Sequence, residues 1–310
     1  MSRSPVGVVL LTYNCERWIE RTADRLAALG RPVVAVDNAS SDGTLAILSR
    51  YPQFEVLRLR RNIGAAARNV GARRLQTDYV AFCDDDGWYD DEGLTFAAEL
   101  LDRQPRLALV NARILVGEQA RLDPISAIMQ NSPLADVGSL GGKPIASFMA
   151  GACILRRGTY LQSGGYDERF FIGAEEETLS YKLLRAGWQL RYRPEVVMRH
   201  YPSSANAENL RHYGVRNTLV NAWLHRRFRS ALRWSCFIAM DSPKNRNLVY
   251  GLAMTVRALP WIVRERSPMS TELDDMLTSL DRHWLDNGRA TPRRPAHRTG
   301  QLAERESAHR

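Results

Sequence analysis

The segment Tyr79-Val80-Ala81-Phe82-Cys83 runs directly into three consecutive carboxylates, Asp84, Asp85 and Asp86. Its apolar part has the length and composition of a short buried strand, which puts the aspartates at the strand's carboxyl end. In open α/β sheets that end is the ligand-binding rim. Three adjacent carboxylates repel one another. A hard divalent cation, Mg²⁺ or Mn²⁺, commonly relieves the repulsion and brings a substrate phosphate with it. For the three aspartates alone, a solvated acidic turn is the plainer reading. A second acidic cluster, Glu175-Glu176-Glu177, opens a stretch in which Leu179, Leu183 and Leu184 recur at helical spacing. Carboxylates at a helix start are favoured by the helix dipole and often do nothing further.

The elements that must position these residues read as alternating strands and helices. Val6 to Leu11 is a continuous apolar run, as a central parallel strand requires, and it ends in Thr12-Tyr13-Asn14. Trp18, Thr22, Leu26 and Leu29 then recur as one helix face. Val33 to Val36 is a second strand, ending in Asp37 and a turn-forming stretch up to Thr44, with a short helix from Leu45 to Arg50. Phe54 to Leu59 is a third strand. Asn62-Ile63-Gly64 opens a helix through Arg68 to about Leu75, and such a helix start favours anions. The aspartate-bearing strand follows. This alternation predicts a mostly parallel sheet covered on both faces, with Thr12 to Asn14, Asp37 and Asp84 to Asp86 on one rim.

Further along, Asp90 to Arg103 reads as a helix, Leu107 to Leu115 as a strand, and residues 117–145 as a long loop region. Ser147 to Leu155 reads as a strand, Gly164-Gly165-Tyr166-Asp167 as a turn, and Gln189 to Tyr192 as a strand, after which Val196 and Val197 lead to His200. From Asn209 the pattern is mostly helical. Residues 287–310 are polar and rich in Pro and Arg, the composition of a disordered tail. The expected division is a domain over 1–205, a helical extension over 206–286 and that tail.

The chain has 310 residues and a formal net charge of +9. This excess admits nucleic acid, an anionic membrane surface or an anionic small substrate. No zinc finger or RNA-binding aromatic signature accompanies it, so a specific nucleic-acid partner is not expected. Cys15, Cys83, Cys153 and Cys236 are far apart and form no CxxC pair, which reads as buried free thiols in a reducing compartment. No signal peptide is evident, and no apolar run reaches the roughly 18 residues of a spanning helix. Residues 248–263 come nearest and read as a core or interfacial segment. Arg216, Arg226, Arg227, Arg229 and Arg233 interleave with Trp223, Phe228 and Trp234. That pattern is either a solvated face on a packed helix or a surface resting on anionic lipid. A cytoplasmic protein with at most peripheral membrane contact is the expectation.

Several ordered motifs together resemble glycosyltransferase family 2, over roughly residues 5–220. They are Val8-Val9-Leu10-Leu11-Thr12-Tyr13-Asn14; Val36-Asp37-Asn38-Ala39-Ser40 with Asp42-Gly43-Thr44; Asn62-Ile63-Gly64 with Ala67-Arg68-Asn69; the aspartate run; Gly165-Tyr166-Asp167-Glu168-Arg169-Phe170-Phe171; Glu175-Glu176 before Leu179; and His200. The Gly-Tyr-Asp and Arg-Asn elements are similar to the rhamnosyl- and galactofuranosyl-transferase branch. The resemblance implies a GT-A fold, a nucleoside-diphosphate sugar donor, a divalent metal and inversion at the anomeric carbon. It places Thr12, Tyr13 and Asn14 against base and ribose, Asp37 on the imide N–H of uracil or thymine, and Asn62, Gly64 and Arg68 near base, ribose or diphosphate. It gives Asp84 or Asp85 the ribose, Asp86 the metal, and His200 a place toward metal or diphosphate. Transfer to a hydroxyl needs a base, and the family's Glu-Asp pair matches Glu175-Glu176 with Glu in place of Asp. Glu176 is therefore the expected base and Glu175 the next candidate. UDP- or dTDP-sugars are the favoured donors; the acceptor is a cell-envelope glycan, a lipid-linked saccharide or a small molecule. A nucleotidyltransferase of similar sheet would carry a Gly-rich basic loop after the first strand, and Thr12-Tyr13-Asn14-Cys15-Glu16 is not one. A non-catalytic nucleotide-sugar or membrane-binding protein is the remaining alternative.

Overall fold

The computed structural model describes residues 5–136, 141–202, 210–241 and 245–288. The chain divides into two units. The first comprises residues up to Phe171 together with Glu175–Tyr201, and the second Ile172–Ala174 together with the chain from Pro202. The residues 289–310, most of the expected tail, lie outside those described.

In the first unit the strands are β1 (Val6–Thr12), β2 (Val33–Asp37), β3 (Phe54–Arg58), β4 (Tyr79–Asp84), β5 (Gly87–Tyr89), β6 (Leu107–Val116), β7 (Arg121–Leu122), β8 (Lys143–Pro144), β9 (Ala152–Arg156) and β10 (Gln189–His200). The helices are α1 (Ile19–Ala28), α2 (Thr44–Leu48), α3 (Ala67–Arg74), α4 (Asp91–Arg103), α5 (Pro124–Gln130), α6 (Arg157–Gln162) and α7 (Glu175–Arg185). One sheet runs in the order β3-β2-β1-β4-β9-β6-β10-β5. The β3-β2-β1-β4 half is parallel throughout, as the strand–helix alternation predicts. Alternate residues of β1 feed two cores: Val6, Val8 and Leu10 on one face, Val9 on the other. Burial on both faces is why these strands are continuous apolar runs.

Beyond β4 the sheet becomes mixed. β9 enters antiparallel between β4 and β6, and β5 lies antiparallel against β10. Three expectations are corrected here. Residues 117–145 include α5, whose start is set by Asp123 accepting from the Ile125 N–H at 2.8 Å with Pro124 at the first helical position. Seven residues are too few for periodicity to reveal. The strand expected from Ser147 begins only at Ala152, because the N–H groups of Met149 and Ala150 go to the side chains of Asn111 (2.8 Å) and Glu176 (3.3 Å) instead of a ladder. Gln189 to Tyr192 and the segment to His200 are one strand, β10, with an irregularity between Arg193 and Val197.

The second unit carries α8 (Arg211–His225), α9 (Phe228–Asp241), α10 (Arg246–Glu265) and α11 (Thr271–Gly288). Two arginines of its basic stretch are consumed internally. Arg226 is 2% exposed and donates to Asp274 (2.7 Å), Thr278 (3.1 Å) and Asp281 (2.9 Å), three residues on one face of α11. Arg216 is buried against the Trp261 ring. Of the stripe expected from sequence as a solvated or lipid-facing surface, Arg216 and Arg226 are therefore core, whereas Arg227, Arg229 and Arg233 are exposed. Of the four cysteines, three are buried, but Cys236 is exposed on α9.

Candidate active site

The carboxyl ends of β1, β2 and β4 meet on one rim. Parallel register sets Thr12 beside Asp37 and Leu11 beside Asp84. The rim loops are tied to each other by side chains. Thr12 is buried and its hydroxyl donates to the Val36 carbonyl at 3.4 Å. Asn14 sits at φ 49°, donates its N–H to Ser40 Oγ and accepts from the Ser41 N–H, both at 2.9 Å. These two residues build the rim, whereas Tyr13 presents an exposed ring at it.

Asp37 is fully buried. Its Oδ2 accepts from the Ser40 N–H at 3.0 Å, as a turn-capping aspartate should. Its Oδ1 is buried with no hydrogen-bond partner among the described residues. Such an orphaned acceptor is costly and calls for an explanation.

The three aspartates diverge. Asp84 pairs with the Arg68 guanidinium, and its carboxylate fills the space a side chain on Gly151 would take. Asp85 turns toward the β1 loop, accepting from the Trp18 indole at 3.2 Å and the Tyr13 N–H at 3.4 Å. Burial, then the Asp86 charge, push Asp85 up to about 7. Asp86 faces His200, whose Nε2 is 3.4 Å from Asp86 Oδ1. Burial works against the His200 imidazolium, but its bond to Asp86 and the charges of Asp86 and Asp84 more than offset this, so its pKa is raised.

Arg68 is the residue that joins the two acidic motifs. The segment leading to it is fixed tightly. Asn62 caps the turn by accepting from the Gly64 N–H at 2.8 Å, and Gly64 adopts φ +62° against the Phe171 carbonyl, where any Cβ would collide. A 3₁₀ turn, Gly64–Ala66, then feeds α3. Arg68 is 4% exposed. Burial opposes its charge, yet Asp84, Tyr166, Glu175 and Glu176 together hold it more firmly protonated than usual. The neighbouring Asn69 holds the Gly165-Tyr166 turn through the Tyr166 N–H (3.0 Å) and carbonyl (2.8 Å).

Glu175 and Glu176 begin α7 in different environments. Glu175 is 5% exposed and its Oε2 has no hydrogen-bond partner among the described residues. Burial first, and Glu176 second, raise it to about 8. Glu176 is half-buried, and its Oε1 accepts from the Ala150 N–H. Burial therefore disfavours the ionised form most at Glu175, the more buried of the two. The chain enters α7 through strained backbone, with positive φ at Phe171 (61°) and Ala174 (61°). Within the second unit, Asn217 donates to the carbonyls of Ile172 (3.0 Å) and Gly173 (2.5 Å), and Asn221 to that of Ala174 (2.6 Å). Sequence reasoning gave these asparagines no role. Their spacing of four on one helix was the available signal.

A carboxyl held neutral by burial predicts a pH-dependent stability. The raised pKa means the folded state binds the proton more tightly than the unfolded chain. The benefit is full below the unfolded value and is lost as pH rises toward about 8. Glu175→Gln removes the ionisation, so its stability relative to the parent should improve steadily between about pH 5 and about pH 8. Denaturant midpoints across that range test this, and a flat difference would contradict it.

Residues 7–163, from β1 through α6, match the Glycosyl transferase family 2. The chain belongs to that family. It is 26% identical over 272 residues to the N-acetylglucosaminyl-diphospho-decaprenol L-rhamnosyltransferase of Mycobacterium tuberculosis, covering 74% of this chain and 88% of that one. It is 28% identical over 212 residues to the pre-mycofactocin glycosyltransferase of the same organism, covering 64% and 43%. The fold is that of GT-A glycosyltransferases. The mannosyltransferase PcManGT from Pyrobaculum calidifontis, solved with GDP-Man and Mn²⁺, superposes with a TM-score of 0.57 at 18% identity over 92% of this chain and 81% of that one. Staphylococcus aureus TarS 1–349 in complex with UDP-GlcNAc gives 0.56 at 18% identity over 83% and 73%. In this glycosyltransferase the matched region contains the β1 loop, Asp37, Arg68 and the three aspartates, whereas Glu175, Glu176 and His200 lie beyond it.

Proposed function

We propose that this enzyme transfers a sugar from a nucleoside-diphosphate sugar to a hydroxyl of a lipid-linked or cell-envelope glycan, inverting the anomeric carbon, with Glu176 as base. The observation that carries this reading is the convergence on Arg68. One buried guanidinium answers both the aspartate rim, where a donor diphosphate belongs, and the start of α7, where a base belongs. The acceptor class follows from the relatives' names, which include a decaprenol-linked substrate and teichuronic acid biosynthesis.

In this reading the acceptor oxygen attacks the anomeric carbon as the bond from that carbon to the diphosphate breaks. The acceptor proton passes to Glu176. Glu175 beside it is the more buried, and burial disfavours its ionised form. The orphaned Oδ1 of Asp37 accepts the imide N–H of uracil or thymine, which favours UDP- or dTDP-sugars. Tyr13 covers the base, and Asp85 fixes the loop that carries it.

Asp86 and His200 fit a divalent cation. They are a carboxylate and an imidazole already within 3.4 Å of each other. Among the described residues no three His, Cys, Asp or Glu side chains form a self-sufficient cage. Mg²⁺-type sites characteristically complete a small protein donor set with substrate phosphates. Such an ion would neutralise charge on the departing diphosphate.

Thermal stability with UDP, dTDP, GDP and CDP, each with and without Mn²⁺, tests the donor site. A ligand at a hundred times its Kd stabilises the native state by about 2.7 kcal/mol. The expected result is a Mn²⁺-dependent rise in Tm with UDP or dTDP and a smaller one with GDP. No rise with any of the four, for a folded protein, would overturn the reading.

A further inference from the structure

Helix α10 has two apolar faces, and packing accounts for one. Leu248, Gly251, Thr255, Ala258 and Ile262 recur every three or four residues and are buried. Gly251 draws this face close to α8, since a Cβ there would press into Val215. Beside it Val249, Leu252, Val256, Leu259 and Val263 recur at the same spacing, yet they are between 40% and 76% exposed. Single exposed apolar side chains need no explanation, but five in register along a helix form a continuous patch. α9 carries a related row, with Phe228, Leu232 and Met240 exposed and Arg229 exposed among them.

The charges beside the α10 row have one sign. Arg246, Arg257 and Arg264 lie eleven and seven residues apart, which stacks them along one flank of the apolar face, and all three are exposed. Trp261 lies farther round, toward the packed face, where its ring meets the buried Arg216. The one carboxylate of α10, Glu265, is already engaged by the Trp261 indole at 2.9 Å and by Arg264 at 3.1 Å. Among the described residues no helix is long and apolar enough to cross a membrane.

We propose that α10 lies in the headgroup region of an anionic lipid bilayer, with Val249 to Val263 toward the acyl chains and the arginine row at the lipid phosphates. An apolar stripe flanked by arginine side chains is the pattern of an interfacial helix. A second copy of the chain is the poorer occupant, because this face offers the arginine row no free carboxylates. The chain's net charge of +9 acts in the same direction. The inference does not depend on the transfer reaction, and it is read without any turnover.

The test is co-sedimentation of the full chain with vesicles of phosphatidylcholine and phosphatidylglycerol in equal parts, against phosphatidylcholine alone. The chain should bind the anionic vesicles and be released by high salt. Val256→Glu with Val263→Glu should lower binding at least about tenfold. Arg257→Gln should lower it about fivefold. All three positions are exposed, so unchanged Tm in the variants is expected and confirms that folding is intact. Failure of the parent to bind, equal binding to neutral vesicles, or undiminished binding by the folded valine variant would each overturn the proposal. So would a soluble dimer that Val256→Glu dissociates, which would assign the face to a second copy.

Discussion

Glu176→Gln should lower sugar transfer by about a hundredfold to ten-thousandfold, the usual range for removing a general base. The substitution keeps the side chain's size and one acceptor oxygen for the Ala150 N–H. Donor binding should therefore be preserved, and the Tm rise with the matching nucleoside diphosphate and Mn²⁺ should match the parent's. The comparison with Glu175→Gln gives the experiment its discrimination. Glu175 is the more buried and burial disfavours its ionised form, so its amide replacement removes less charge from the site, and transfer should fall far less. Steady-state rates for both variants, with donor binding measured separately, decide the assignment. Unchanged turnover in Glu176→Gln would remove it from the base role. A larger loss in Glu175→Gln would transfer the role to Glu175.

What was legible in the sequence follows from distance along the chain. β1, β2 and β4 are buried on both faces, so each is an apolar run whose end is visible, and the residues at those ends are adjacent to it in sequence. Asp37 and the three aspartates could be placed on one rim for that reason. The partners could not. Asp84 meets Arg68 across sixteen positions, and Asp86 meets His200 from the far end of β10. Local pattern carries no such information. Arg68 looks like any arginine on a helix, and the cation first invoked for the aspartates was a metal, whereas a buried guanidinium already neutralises one of them. The antiparallel entry of β9 was hidden for a similar reason, because a short apolar run, Ala152 to Leu155, reads the same in either direction. Arg226 shows the opposite failure. A basic cluster next to aromatic residues suggested a surface, and the carboxylates that hold Arg226 inside are on α11, 48 and 55 residues away. The lipid-facing pattern argued for α10 is instead readable in principle from spacing alone. It became distinguishable from core only when packing showed which apolar row α8 covers.

Arg68→Met should cost about 2–3 kcal/mol of stability near neutral pH. Breaking a buried ion pair costs about 3–5 kcal/mol, and the half-exposed Asp84 side chain lets water recover part of that. The methionine keeps the apolar stem packed, so the loss is electrostatic. It should also grow with pH. Arg68 favours the ionised form of Glu175, so its removal pushes that carboxyl further up and makes its ionisation in the folded state more costly. Below about pH 8 Glu175 is protonated in the folded state with or without Arg68 and that component vanishes; it appears and grows only above about pH 8. Arg68→Lys should recover only part, since a single ammonium replaces a planar fork between Asp84 and α7. The decisive measurement is a double-mutant cycle of Arg68→Met with Glu175→Gln, followed by denaturant unfolding at about pH 9, above the raised Glu175 value, where its carboxyl is ionised. If Arg68 electrostatically joins the aspartate rim to the start of α7, Glu175→Gln should offset part of the Arg68→Met loss, giving a coupling of about 0.5–3 kcal/mol. Strict additivity would mean that Arg68 serves Asp84 alone. The two acidic motifs would then be neighbours without sharing a charge balance, and the feature that carries the proposed function would be lost.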